Sequence, residues 1–291
     1  MAITAAMIKE LREATGAGIL DSKKALEAND GDFDKAVEYL REKGLAKAAK
    51  KASRAANEGL VIALVDGKNA ALVAVNCETD FVARTDDFRT FAEGLAQRVL
   101  ADPNLDSVEA LLAAPAADDP AKTVADSIQE AISKLGENIV LRNVARYVQS
   151  GAGVIEGYVH LGGKIGVLAE LGVADAAAEG DALHELAHDI TLQIAAARPQ
   201  YLSRDDVPAE IIEKERSILM AQLQDEKKPD NIKQRIVEGR LNKFYKEVCL
   251  LDQPFVKDDS LSIKQVLENA GKQFGTTVKI NRFTRFELGA S

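Results

Sequence analysis

The stretch EGLVIALVDGKNAALVAVNC, from Glu58 to Cys77, decides the fold of this chain. Two apolar runs flank the dipeptide Asp66-Gly67. Asp-Gly between two apolar runs is typical of a β-hairpin, because glycine readily adopts the positive φ of a tight turn. We therefore predict a hairpin that begins near residue 58, where the pattern of apolar residues changes from helical to β periodicity.

A second stretch, EGYVHLGGKIGVLAEL from Glu156 to Leu171, resembles the first. Both contain Glu-Gly-x-Val, then a Gly-Lys turn and a second apolar run, and aligning the two Glu-Gly pairs places the copies about 98 residues apart. Such an internal echo predicts a duplicated α/β unit. We assign the first core subdomain to residues 55–148 and the second to residues 149–291.

The first 54 residues have the apolar spacing of three helices that form a small bundle. Thr4 is the expected N-cap of the first helix, Gly16 and Gly18 end it, and Asp32 is the expected N-cap of the third. Bundles of this size usually bind another protein. The bundle is followed by a basic run that is interpreted either as a basic patch or, preferably, as a solvated linker helix. Its cations are Lys43, Lys47, Lys50, Lys51 and Arg54.

Residues 199–248 contain two strongly charged helical segments separated by Lys228-Pro229-Asp230. We predict an arm of two antiparallel helices that protrudes from the second subdomain. Its mixed charges suit either a homodimer through the arm or contact with another partner. The predicted fold class is α+β: a small three-helix N-terminal bundle, then a duplicated α/β core with antiparallel hairpins and a protruding helical arm.

The composition limits the classes of function. The chain has 291 residues, a net charge of −9 and a pI near 5.1. An acidic surface repels phosphate backbones, so we expect no nucleic-acid partner. The sequence has no apolar run of membrane-spanning length and no signal-peptide pattern at its N-terminus, so we expect no membrane partner and a cytoplasmic protein. Cys77 and Cys249 lack metal or redox spacing, and we expect reduced thiols and no cofactor.

The segment VNCETDFVARTDDF, Val75 to Phe88, places an aromatic residue between acidic ones at the end of a predicted strand. Phe81 is either the first core residue of the next helix or an outward-pointing wedge on a loop shaped by Asp80. A projecting aromatic side chain is typical of a protein interface. The second copy reads LGVADAAA after its hairpin and has no equivalent of Thr-Asp-Phe-Val. This difference favours a functional role for Phe81.

The pentapeptide HELAH, His184 to His188, matches the His-Glu-x-x-His pattern of zinc hydrolases. In those enzymes the two histidines bind the metal and Glu185 would activate water. However, Leu183, Leu186, Ile190 and Ile194 predict an ordinary helix that packs against a sheet. We favour this interpretation. A zinc hydrolase and a generic scaffold or chaperone-like binder remain as alternatives.

Several blocks of the chain, in order, resemble the bacterial elongation factor Ts family of guanine-nucleotide exchange factors. These blocks are IKELREATGAGILDSKKALEANDGDFDKAVEYLREKGLAKAAKKASR (8–54), AVNCETDFVA (74–83), KLGENIVLRN (134–143), EGRLNKFYKEVCLLDQPFV (238–256) and RFTRFELG (282–289). The resemblance implies a non-enzymatic factor that binds no nucleotide itself. Its partner would be elongation factor Tu, contacted at the nucleotide domain and at a further domain, and the factor would promote GDP release.

The same resemblance implies roles for particular residues. The loop Thr79-Asp80-Phe81-Val82 would carry the function, with Asp80 and Phe81 entering the partner beside its Mg²⁺ and phosphate site.

Other positions of the chain are implied as partner contacts. Ile19 and Leu20 would contact the nucleotide domain, and Leu135 and Gly136 would form a second loop near the wedge. Some family members continue beyond the last strand with a helix that contacts the partner, whereas this sequence ends at ELGAS.

Overall fold

The structure, a computed structural model, describes residues 3–15, 17–224, 226 and 228–290, without the side chains of residues 45, 47 and 49. Its helices are α1 (Ala5–Thr15), α2 (Ile19–Ala28), α3 (Phe33–Lys51), α4 (Asp80–Ala83), α5 (Asp86–Ala101), α6 (Val108–Ala113), α7 (Val124–Leu135), α8 (Asp181–Ala197), α9 (Ala209–Gln222), α10 (Asp230–Val248) and α11 (Ile263–Phe274). Its strands are β1 (Glu58–Asp66), β2 (Asn69–Cys77), β3 (Val140–Val148), β4 (Gly153–His160), β5 (Ile165–Val173), β6 (Pro254–Phe255), β7 (Asp258–Ser262) and β8 (Val278–Glu287). The predicted α+β class is confirmed.

Two antiparallel three-stranded sheets form the core, with strand orders β1-β2-β3 and β4-β5-β8. Their central strands are apolar on both faces, and each face packs against something different. In β2, Leu72 and Ala74 contribute to a cluster shared by the two sheets, whereas Val73 and Val75 pack towards the helices on the other side. The two sheets therefore lie face to face, with α5 and α7 outside the first sheet and α8 and α11 outside the second.

The duplication is present in the structure, but its register differs from the one that the sequence suggested. Gly59 and Gly153 occupy equivalent positions: φ is +140° and +145°, and a Cβ atom would lie 2.1 Å from the carbonyl oxygen of Val75 or 2.0 Å from that of Leu171. The Glu-Gly pair at Gly157 is therefore not the counterpart of the pair at Gly59. The turn of the second hairpin contains residues 161–164, whereas the turn of the first contains residues 67–68. The longer turn changes the sequence offset between the copies from 94 residues (Gly59 to Gly153) to 96 residues (Asn69 to Ile165), while the strand pairing stays the same.

The arrangement of the elements supports the duplication further. In both units a hairpin is followed by a helix on the sheet, and the third strand is preceded by a twelve-residue helix with a capping box. The elements between these two helices differ: α6 in the first unit, and α9, α10, β6 and β7 in the second. Each twelve-residue helix ends at a glycine with positive φ, Gly136 or Gly275. A bulge interrupts the pairing of the third strand at Ala74/Val75 in one sheet and at Glu170/Leu171 in the other.

The N-terminal helices form a bundle around buried Leu11, Ala25, Leu26 and Ala36. Its caps follow the sequence prediction: the Met7 amide donates to Thr4 Oγ1 (3.3 Å), and the Lys35 amide donates to Asp32 Oδ1 (3.1 Å). Gly16, one of the two glycines expected to end the first helix, lies outside the described residues.

The third helix differs from the prediction because α3 continues through the basic run without a break. It is not a fully solvated linker: Ala48 is buried, and a Cβ atom at Gly44 would lie 2.8 Å from Ser133 Oγ of α7. Small residues on this face allow α3 to approach α7 closely, so one helix joins the bundle to the first sheet unit. The side chain of Lys47 lies outside the described part of the chain.

Helices α9 and α10 pack on each other through a small apolar cluster of their own, formed by Leu219, Leu223, Val237 and Leu241. A second cluster near their base includes Val207 and Val248. Within the described ranges, no helix is long and apolar enough to span a membrane. The division into three domains stays a prediction.

Candidate functional site

The loop between β2 and α5 exposes an aromatic side chain. Phe81 is 81% exposed, more than any other large apolar side chain in the described part of the chain. The interpretation of Phe81 as a core residue is therefore wrong. Ala83 is buried and Val82 packs against the core of the first unit, and the first buried aromatic of the next helix is Phe88. The short helix α4 thus turns Val82 and Ala83 inward and Phe81 outward.

Two threonines fix the ends of this loop. Thr79 is the N-cap of α4, since the Val82 amide donates to Thr79 Oγ1 (3.3 Å). Thr85 is the N-cap of α5 and accepts from the Phe88 amide (3.3 Å). Hydroxyl caps satisfy amides that a helix start leaves unpaired, which explains how a four-residue helix is stably placed between a strand and a long helix.

A carboxylate from elsewhere in the chain fixes the start of the loop. Glu137 Oε2 accepts from the amides of Glu78 (3.1 Å) and Thr79 (3.0 Å), and Glu137 Oε1 accepts from the Thr79 hydroxyl (2.6 Å). Hydrogen bonds to an ionised carboxylate are stronger than neutral ones. Glu137 therefore holds both the backbone and the capping side chain of the loop.

The start of the loop is also connected by hydrogen bonds to the end of the N-terminal module. The Asn138 amide donates to the Glu78 carboxylate (2.7 Å), and Asn138 Nδ2 donates to the Arg54 carbonyl (2.8 Å). Asn76 Nδ2 donates to the Ala56 carbonyl (2.9 Å). The chain that leaves the helical module is thus bonded to Asn76 near the end of β2 and to Asn138, which in turn donates to Glu78 at the start of the loop.

Asp80 forms an ion pair with Arg84 across the α4 turn, with 2.9 Å between Arg84 Nη2 and Asp80 Oδ2. Both side chains are substantially exposed, so the pair contributes little to the free energy of unfolding. The Asp80 carboxylate is held beside Phe81 and stays accessible to solvent.

Cys77 lies beneath the loop and donates from Sγ to the Thr79 carbonyl oxygen (3.2 Å). Burial, reinforced by the nearby Glu137 charge, raises the pKa of the Cys77 thiol to about 12. Cys249 is also buried and unpaired. A thiol with a raised pKa is a poor nucleophile at neutral pH, so Cys77 packs beneath the loop as a neutral side chain.

Leu135 and Gly136 lie next to the Phe81 loop, because the residue that follows them is Glu137. Leu135 packs partly against the first core, and Gly136 adopts φ +82° as the residue that ends α7. This left-handed residue turns the chain so that Glu137 reaches the amides of the loop. The sequence prediction named Leu135 and Gly136 but missed Glu137, for which the only signal was its position immediately after them.

Ile19 and Leu20 form a second exposed apolar surface, on the first turn of α2. They are 59% and 72% exposed. They lie on the helical bundle, whereas Phe81 lies on the loop between β2 and α5.

The HELAH segment lies on α8, with Leu183 and Ile190 buried in the second core. His184 and His188 are exposed at the side of the helix that faces β4. His184 Nδ1 and His188 Nδ1 are each 3.6 Å from the Glu156 carboxylate. Among the residues that the structure describes, no three His, Cys, Asp or Glu side chains are arranged to hold a metal ion. The histidine pair faces a carboxylate on β4.

An exposed aromatic ring on a capped loop and an exposed apolar helix turn are features typical of proteins that recognise other proteins. Comparison with known proteins identifies the family. Residues 78–290 match the family model described as Elongation factor TS. The chain is 49% identical to elongation factor Ts of Clostridium perfringens, 47% to that of Clostridium kluyveri and 46% to that of Trichlorobacter lovleyi. Each alignment covers 99% of this chain and 93% of the relative.

The chain therefore belongs to the elongation factor Ts family, as the sequence resemblance predicted. Membership of this family implies a guanine-nucleotide exchange factor for elongation factor Tu in translation elongation.

Proposed function

We propose that this protein binds elongation factor Tu in the cytoplasm and releases GDP by inserting the loop Thr79-Asp80-Phe81-Val82 into its nucleotide domain. The loop disturbs the Mg²⁺ and phosphate site of the partner, and the protein binds no nucleotide itself. The observation that carries this proposal is the 81% exposure of Phe81 on a loop whose backbone is fixed by Thr79 and Glu137.

The chemistry of the partner explains why an apolar wedge is sufficient. Mg²⁺ requires near-ideal octahedral oxygen ligands, and bound phosphates require a closed loop around them. A factor that binds the opened conformation more tightly than the loaded one therefore weakens nucleotide binding without touching the nucleotide. By thermodynamic linkage, the nucleotide weakens the binding of the factor by the same amount.

The magnitudes limit what one residue contributes. Accelerating GDP release by about 10⁴ requires roughly 5–6 kcal/mol of preferential binding to the opening transition state. A single desolvated aromatic anchor supplies about 2–4 kcal/mol. The remainder must come from the rest of the interface, for which we propose Ile19 and Leu20 on the helical module, and Leu135 and Gly136 beside the wedge.

The second half of the chain is proposed to provide further grip on another domain of elongation factor Tu. The arm carries exposed apolar side chains at Ile218, Met220 and Ile232, which suit either a homodimer or an additional partner contact. Light scattering of the purified protein, alone and mixed with elongation factor Tu, separates these two uses of the arm.

Release of fluorescent GDP from elongation factor Tu tests the proposal. The wild-type protein is expected to accelerate release, and Phe81→Ala to lose most of the acceleration. Leu161→Ala is the matched control, because Leu161 is also a large apolar side chain with 64% exposure but lies in the β4–β5 turn. A wild-type protein that leaves the rate unchanged would refute exchange activity. Equal losses in both variants would refute the specific role of the loop.

Measurement of bound metal addresses the zinc-hydrolase alternative. Stoichiometric zinc that is lost in His184→Ala would support that class and contradict the exchange factor. A general scaffold would bind elongation factor Tu without changing the GDP release rate.

A further inference from the structure

The Phe81 loop is held in place by one carboxylate that makes three hydrogen bonds to it. Glu137 accepts from the Glu78 amide, the Thr79 amide and the Thr79 hydroxyl, at distances between 2.6 and 3.1 Å. We propose that Glu137 is a positioning residue for nucleotide exchange: it fixes the loop in the conformation that presents Phe81 before the partner arrives. This inference rests on the proposed function of the loop.

A carboxylate is the side-chain group that matches the three donors of the loop. One side chain must satisfy two successive amides with one oxygen and a hydroxyl with the other, and only a carboxylate offers acceptors on both oxygens without a competing donor. Glu137 is half-buried, which strengthens these bonds relative to bonds in water. Without the charge, the strand–loop junction would sample other conformations, and the partner would have to order it on binding.

The segment that contains Glu137 and Asn138 also sets where Phe81 lies relative to the helical module. The Asn138 amide donates to the Glu78 carboxylate, and the Asn138 side chain donates to the Arg54 carbonyl oxygen. Glu78 therefore both donates to and accepts from the segment that contains Glu137. Two surfaces that are fixed relative to each other can engage one partner together, which raises the effective concentration of the second contact.

The second unit supplies an internal control for this role. Thr276 follows Gly275 as Glu137 follows Gly136, and within the described part of the chain Thr276 Oγ1 accepts one hydrogen bond, from the Asp175 amide (3.1 Å). The loop held in this way presents Ala177 and no aromatic side chain. The carboxylate thus occurs in the unit that carries the wedge, and a hydroxyl suffices in the unit that does not.

The test is a double-mutant cycle on the affinity for nucleotide-free elongation factor Tu, combined with GDP release assays at catalytic amounts of the protein. The variants are Glu137→Gln, Glu137→Thr and Phe81→Ala, alone and combined. Glu130→Gln is the matched control, because Glu130 is a paired carboxylate on α7, 2.6 Å from Lys122 Nζ, that does not contact the loop.

We expect Glu137→Gln to weaken binding and kcat/KM about tenfold, equivalent to about 1.4 kcal/mol. In the Phe81→Ala background the same change is expected to have an effect of less than about twofold, because there is no aromatic side chain left to position. Hydrogen exchange at the Thr79 amide should be faster in free Glu137→Gln than in the wild type. Glu130→Gln should leave the affinity, kcat/KM and the exchange of the Thr79 amide unchanged.

Three results would overturn the inference: full activity of Glu137→Gln, an equal loss in both backgrounds, or unchanged exchange of the Thr79 amide. An equal loss would show a general structural role. The proposed function fails separately, when Phe81→Ala matches the wild type or when the wild type itself does not accelerate GDP release, and the positioning role then falls with it.

Discussion

The loops that follow the two central strands share one backbone plan. The first runs from β2 through α4 to α5, and the second runs from β5 through a single 3₁₀ turn, Ala176–Ala178, to α8. Each turn is capped by a side chain, Thr79 in one and Asp175 in the other. The amide of each capping residue donates to the residue that follows the glycine at the end of α7 or α11.

The two loops differ in the side chain that they expose. Phe81 projects from the first turn, whereas the equivalent position of the second turn is Ala177. The second loop shows that this backbone forms without an aromatic residue, so folding alone does not account for Phe81. The duplication provided two copies of one scaffold, and only the copy nearer the helical module carries an exposed ring and a carboxylate to hold it.

The strongest test of the shared scaffold concerns the first buried residue of the helix behind each loop. Phe88 of α5 and Leu183 of α8 are both fully buried. Truncation to alanine leaves a cavity, and we expect Phe88→Ala to lower the free energy of unfolding by about 3–5 kcal/mol and Leu183→Ala by about 2–5 kcal/mol. Phe81→Ala should change it by less than about 0.5 kcal/mol.

Urea unfolding followed by circular dichroism measures all three variants. Comparable destabilisation by Phe81→Ala and Phe88→Ala would show that the exposed ring supports the fold, and the contrast between the two loops would disappear.

The second prediction moves the aromatic residue between the loops. The double variant Phe81→Ala/Ala177→Phe keeps the same number of exposed rings, but places the ring on the unit without the carboxylate. We expect its GDP release activity to stay about 30- to 1000-fold below the wild type, as for Phe81→Ala alone, which corresponds to the roughly 2–4 kcal/mol of one anchor residue.

Stopped-flow release of fluorescent GDP is the measurement, with Ala177→Phe alone as the control for harm to the second loop. Recovery of activity in the double variant would mean that any exposed ring on the core suffices, and that the position of the loop is unimportant.

The sequence predicted those parts of the fold that depend on local patterns. Both hairpins, the helices around them and the caps at Thr4 and Asp32 follow from periodicity and side-chain chemistry. The register of the duplication did not, because the second hairpin turn is longer and a chance Glu-Gly pair at Gly157 imitates the true equivalent of Gly59. The continuation of α3 across the basic run depends on packing between Gly44 and Ser133, which are far apart in sequence.

The candidate site was predictable to a similar degree. Local sequence left two interpretations of Phe81, a core residue of the next helix or an exposed wedge. The second copy has no equivalent of Thr-Asp-Phe-Val, which favoured the wedge, and the structure shows that the side chain is exposed. The bonds from Glu137 to Thr79 span 58 residues, and their geometry depends on the left-handed Gly136. No local pattern reports such a contact, so the supporting residue was missed although its neighbours were named.

The third prediction compares the glycines that end α7 and α11. Gly136 has φ +82° and Gly275 has φ +69°, and no atom lies within 4 Å of an added Cβ at either position. Alanine should therefore cost about 1–2 kcal/mol of unfolding free energy at both sites, from backbone strain alone. Only Gly136→Ala should also slow GDP release, because relaxation of this strain moves Glu137 away from the amides of the loop. Thermal unfolding and exchange assays on both variants check this, and slower release in Gly275→Ala would contradict it.

The smallest expected effect concerns the residue below each loop, Cys77 in the first unit and Val173 at the end of β5. The thiol has its pKa raised from 9.0 to about 12, so the folded state holds the proton more tightly than the unfolded state. The resulting stability is complete below pH 9 and is lost as the pH rises towards 12. Cys77→Val removes this term, whereas the other titrating groups are unchanged.

Between pH 8 and pH 9.5, the wild type should lose at most about 0.8 kcal/mol more unfolding free energy than Cys77→Val, since solvent near the loop screens part of the effect. Urea unfolding at the two pH values measures the difference. Exchange activity at pH 8 should be close to that of the wild type, because valine fills the same buried position below the loop and Glu137 continues to hold the Thr79 amide. A large loss of activity in Cys77→Val would show that the thiol, and not the carboxylate, fixes the loop that presents Phe81.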